Sequence, residues 1–215
     1  MSVRTARVGA VVVVVGLALG AHGAVAAEDG PIYVRPGAPG EPTQRISPRD
    51  VAVPRSAPYS HHEVHFMQHM MVHHGQAITM SALAPDRAAD ERVLTLARRI
   101  GPGQGAEIDQ MARWLELRGE DVPDPFDTHG HEGMPGMVSE EEMAALEASE
   151  GRMFDIRFLE AMIEHHYGAI TMVHELEAAT GTYVEPNVSV LMVEIVDLQE
   201  TEIKRMQRLL EELRS

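Results

Sequence analysis

The chain has 215 residues, and 33 acidic against 18 basic side chains give it a formal net charge of −15 at pH 7. That balance argues against nucleic acid and anionic lipid surfaces as partners, and it concentrates cations near the protein. Cysteine is absent, so disulfides, thiolate metal sites and thiol nucleophiles are excluded, while 12 His and 14 Met leave imidazole, thioether and carboxylate as the ligand chemistry.

In chain order, Arg4 and Arg7 precede an apolar run from Val8 to Ala21, then small residues ending Ala24-Val25-Ala26. This order predicts a secretory signal peptide over 1–26. The run is short for a membrane span, and no other stretch approaches ~20 apolar residues, so no membrane insertion is expected after cleavage. Residues 27–59 are rich in Pro, Gly and Arg without a helical or strand period, and read as a disordered or extended linker.

Ser60-His61-His62-Glu63 forms a capping box that opens a first helix, expected to reach Ala84 and stop at Pro85. Pro85 suits the first turn of a second helix, which carries Val93, Leu96, Ile100, Ile108, Met111 and Trp114 and ends near Gly119. Gly101-Pro102-Gly103 is expected to divide that helix into two pieces, since an interior proline costs ~3 kcal/mol. The loop 120–138 carries His129, His131, Met134 and Met137. A second capping box, Ser139 to Glu142, opens a short helix to about Ser149; a long helix follows Gly151 and ends by Gly181, and Pro186 starts a last one reaching the C-terminus.

Two of these segments repeat each other. Phe66 to Met80 (FMQHMMVHHGQAITM) and Phe158 to Met172 (FLEAMIEHHYGAITM) share eight of fifteen aligned positions, including a His-His pair and two methionines. Packing asks only for apolar residues of the right size, so identity in histidine points to chemistry. Ile100, Gln104, Glu107, Ile108 and Met111 likewise match Ile195, Gln199, Glu202, Ile203 and Met206. Two matching αα-hairpins bury those faces against each other, which predicts an all-α four-helix bundle over 60–215, with halves 60–119 and 139–215 and the first and third long helices facing in the core.

Helical spacing sets Met70 one turn before His73 and His74, and Met162 one turn before His165 and His166. Each half thus offers a Met-His-His cluster. Met80 and Met172 lie two turns beyond, ~10 Å along the axis, and read as core filler or as members of a separate site. His62, His65, His69 and His73 add a histidine stripe on the first helix, with His61 beside it, the spacing by which a helix grips Zn or Cu. Thioether suits Cu(I) and its analogue Ag(I), and imidazole also accepts Cu(II), so the mixture leans to copper. Glu107 and Glu202 could orient ligating imidazoles or bind a dinuclear centre directly. Glu-x-x-His pairs, His-Glu-x-x-His, Gly-x-Ser-x-Gly and nucleotide-binding loops are missing from the chain beyond the leader.

The residues Phe158 to Ile170, the partner run Phe66 to Met80, Met134-Pro135-Gly136-Met137 ahead of Met143-Ala144-Ala145-Leu146, and Glu107-Ile108 through Trp114-Leu115 resemble domain-of-unknown-function family 305. The resemblance covers about residues 60 to 215 and implies a secreted bacterial protein with a ferritin-like bundle. Some members act in copper tolerance by binding copper through Met and His, which implies that role for Met70, His73, His74, Met162, His165 and His166. Members usually keep the second helix continuous, and often follow His-His with Gln where this chain has Gly75 and Tyr167.

The expected function is that of a secreted, periplasmic or cell-envelope protein that sequesters or delivers copper, with silver as analogue, and has no catalytic turnover. Candidate partners are metal ions, a copper exporter or oxidase, and a second copy of the chain. The alternatives are a redox metalloenzyme, dinuclear or haem-bearing, and a module whose histidines sense pH.

Overall fold

A computed structural model of the chain describes residues 57–215 apart from 132 and 182, together with a pair of short strands nearer the N-terminus. The signal-peptide reading of 1–26 lies outside the described residues. In the expected linker, β1 (Tyr33–Arg35) pairs antiparallel with β2 (Gln44–Ile46), with Val34 opposite Arg45. Strands of three residues are too short for a period to show, and Tyr33, Val34 and Ile46 favour extended backbone.

The C-terminal unit is a four-helix bundle of two αα-hairpins: α1 (His61–Arg87) with α2 (Glu91–Glu116), and α4 (Gly151–Thr180) with α5 (Pro186–Arg214), the short α3 (Glu140–Glu147) preceding α4. α1 and α4 face each other at its centre, as the repeat requires. Both capping boxes form: the Ser60 hydroxyl accepts from Glu63 N, and Glu63 returns a carboxylate oxygen to Ser60 N; Ser139 and Glu142 do the same.

Two local expectations yield to packing. α1 runs through Pro85 to Arg87, and α2 follows its cap, Asp90, and continues unbroken through Gly101-Pro102-Gly103. Pro102 faces solvent, so the carbonyl that its ring deprives of a partner can bond water. Ile100 and Gln104 on either side are buried, and that burial holds the axis where the proline alone would have broken it.

Two carboxylates at matching places in the repeat clasp the halves together. Glu63, near the start of α1, accepts from Glu185 N at 2.6 Å, at the turn before α5. Asp155, near the start of α4, accepts from Ala89 N and Asp90 N at 3.2 and 2.9 Å, at the turn before α2. Each carboxylate therefore satisfies orphan amides of the opposite hairpin, and both are buried. Glu185 in turn caps α5 through Asn187 N and Val188 N and accepts from Trp114 Nε1, while Arg118 pairs with it and lies over the Trp114 ring. Replacing Glu63 with Ala removes a cap and leaves Glu185 N without its acceptor. The expected cost is about 2–4 kcal/mol, read as a lowered urea midpoint at unchanged slope.

Candidate metal centre

Where α1 and α4 face each other, the doubled His-His pairs meet. The His73 and His165 rings stack at 3.8 Å between centroids, 32° from parallel, and His74 and His166 flank them. All four are fully buried, as are Met70 and Met162 one turn earlier on the same helices.

The hydrogen bonds fix the tautomers. His73 Nε2 lies 3.0 Å from the Pro135 carbonyl and His165 Nε2 lies 2.9 Å from the His73 carbonyl. A carbonyl oxygen only accepts, so each Nε2 carries the proton and donates it. His74 Nε2 donates to Glu107 Oε2 at 2.5 Å, and His166 Nε2 to Glu202 Oε2 at 2.9 Å. Glu107 and Glu202 thus accept the Nε2–H groups of His74 and His166, a contact that the first of the two roles their positions allowed requires.

With Nε2 protonated, Nδ1 of each ring is a lone-pair nitrogen, and all four Nδ1 atoms are buried without a partner. A buried polar atom left unpaired costs about 1–3 kcal/mol. Gln104 and Gln199, also matched in the repeat, bury both amide atoms without partners. Eight of the ten unpartnered buried polar atoms among the described residues therefore belong to symmetric pairs at this level of the bundle. Burial, with the neighbouring His74 next in effect, pushes the His73 imidazole down to about 3. Burial likewise holds His165 well below the usual range. Both rings are neutral at pH 7, the form that ligates metal.

The loop 120–138 lies across both His-His pairs. Gly75 leaves room for the Pro125 carbonyl, and Gly168 for the Pro135 carbonyl and Gly136; a Cβ at either glycine would collide with backbone. Gln76 fixes Val138 through both its N–H and its carbonyl, at 2.8 and 2.7 Å. The two halves differ just after His-His because one loop must cross each of them in a different way.

The histidine stripe of α1 divides between core and surface. His73 is in the core, whereas His62, His65 and His69 line a groove of about 200 Å³ together with Met134, Met172 and Glu175. Burial, then the charges of His65 and His131, lower His69 to about 4. Of the loop ligands, His131 sets its ring edge-on to His69 at 5.1 Å, while exposed His129 bonds to Asp127. Met80 packs in one core cluster and Met172 in the other, where it also lines the groove. Among the described residues no three His, Asp or Glu side chains converge on one point.

The model of the family described as domain of unknown function DUF305 matches residues 63–210. Among solved structures, a DUF305 fragment from Deinococcus radiodurans is 33% identical with a TM-score of 0.64, over 73% of this chain and 99% of that one. A protein from Streptomyces coelicolor, described as a secreted DUF305 protein, is 34% identical with a TM-score of 0.62, over 72% and 93%. CopM in a Cu(II)-bound form is 30% identical with a TM-score of 0.59, over 70% and 96%, and its Cu(I)- and silver-bound forms also match. No curated protein matches the chain.

Proposed function

The chain belongs to the DUF305 family, and on that premise we propose that it is an extracytoplasmic protein that binds copper as cargo, without turnover, on two buried Met-His-His clusters. Met70, His73 and His74 form one, and Met162, His165 and His166 the other. The observation that carries the reading is the set of four buried Nδ1 lone pairs without partners, on rings whose Nε2–H groups are already held. An imidazole that donates one N–H to a carboxylate or carbonyl and keeps the other nitrogen free is the usual form of a metal-ligating histidine. Thioethers in the same turns favour Cu(I) and Ag(I), and the imidazoles accept Cu(II). CopM, which shares the fold, has been solved with each of those ions.

The sequence pattern of a leader expected over 1–26 and the likeness to a protein described as secreted support the location. Among the described residues no helix is long and apolar enough to cross a membrane.

Titration of the purified protein with Cu(I) and Cu(II) against a competing chelator tests the reading. Binding tighter than about micromolar is expected, and Glu107→Gln or Glu202→Gln should weaken it by about 10–100-fold, because each loosens an imidazole without removing it. Absence of such binding, or full affinity after replacement of His73, His74, His165 and His166, contradicts it.

A further inference from the structure

We propose that the groove beside His69 is a second, solvent-accessible metal site that takes a soft monovalent ion, Ag(I) or Cu(I), on His69, Met134 and Met172, with His65 and His131 beside it. The observation is a convergence that no single segment contains. His65 and His69 come from α1, with ring centroids 3.7 Å apart. His131 and Met134 come from the loop, the former edge-on to His69 at 5.1 Å, the latter in the groove wall. Met172 comes from α4 and closes the opposite wall.

The His65 and His69 rings pack against each other, and His131 meets His69 edge-on, at the mouth of a groove that Met134 and Met172 also line. Two thioethers beside imidazole make a soft donor set, matched to Cu(I) and Ag(I) and poor for Zn(II), Mg(II) or Ca(II). Glu175 at the groove edge supplies a single carboxylate, which balances a monovalent cation. His73, one turn beyond His69, directs its Nε2–H to the Pro135 carbonyl in the core. The groove set therefore shares no ligand with the buried clusters and stands whether or not they bind metal.

Methionine-methyl NMR of the purified protein during Ag(I) titration reads the site directly. The Met134 and Met172 methyl signals are expected to shift together and saturate within one equivalent, and Zn(II) should leave both in place. The double variant Met134→Leu, Met172→Leu should bind one equivalent of Ag(I) fewer while its circular dichroism is unchanged. Unmoved Met134 and Met172 signals at saturating Ag(I), or an undiminished Ag(I) count in a folded double variant, overturn the proposal. Shifts confined to Met70 and Met162 would do the same while supporting the buried clusters.

Discussion

Acidification from pH 7 to pH 4 is expected to remove several kcal/mol of folding stability, through the two stacked core histidines. Burial holds His73 at about 3 and His165 well below its ordinary value, whereas an unfolded imidazole titrates near 6.5. Between those values the unfolded chain binds more protons than the folded one, so protons favour unfolding. The stabilising contribution is complete above about pH 6.5 and is lost as pH falls towards about 3. Each ring contributes a slope of ~1.4 kcal/mol per pH unit, so the pair approaches ~3 kcal/mol per unit, against a total stability of ~5–15 kcal/mol for a typical domain. Urea midpoints at pH 7, 6, 5 and 4 should fall steeply below 6.5. His165→Phe, which cannot take a proton, should flatten the slope by about half. A midpoint constant between pH 7 and 5 would contradict the burial of these rings as neutral imidazoles.

Gly168→Ala is expected to destabilise the bundle by about 3 kcal/mol, the upper range for overpacking, because backbone lies on both sides of the new methyl group. The Cβ would meet the Pro135 carbonyl and Gly136 Cα, and no flexible side chain is there to give way. The loop must lift, and with it goes the Pro135 carbonyl that accepts from His73 Nε2. Gly75→Ala should behave alike through the Pro125 carbonyl. Gly103→Ala is the contrasting case: it sits in α2 with nothing near the added carbon, and should stabilise by up to ~1 kcal/mol through helix propensity. Urea unfolding of the three variants separates a close backbone approach from a general preference for glycine. Equal effects at positions 168 and 103 would show that the loop does not rest on α4 as described.

The capping boxes at Ser60 and Ser139, the stop at Gly181 and the start at Pro186 were legible because caps are local chemistry. The doubled Phe-Met-His-His stripe was legible because identity in histidine has no packing explanation, and its two copies do meet, through His73 and His165. Pro85 and Pro102 misled because a local rule was applied where burial of the neighbouring turns outweighs it. Glu63 read as a cap residue, and Asp155 carried no local signal of its own. Their clasp on the opposite hairpin depends on partners far away in sequence, although their equivalence in the repeat was a visible signal.

The groove was hidden for a related reason. Periodicity places residues on a helix face but does not say where a loop lies, so His131 and Met134 could not be set beside His69, and Met172 stayed between packing and a separate site. The departure of Gly75 from the usual Gln was a trace of the crossing loop. Which nitrogen each histidine keeps free is a property of its partner, and became readable only with Glu107, Glu202 and the two carbonyls in place.

The most direct test of metal binding through the free Nδ1 atoms is a long-range proton–nitrogen NMR correlation of the histidine rings at pH 7, before and after one and two equivalents of Cu(I) under anaerobic conditions. Expected are four Nε2–H tautomers at His73, His74, His165 and His166 in the metal-free protein, with Nδ1 as the nitrogen whose resonance moves when Cu(I) is added. Nδ1–H tautomers in the metal-free protein, or Nδ1 resonances unchanged at saturating Cu(I), would contradict it.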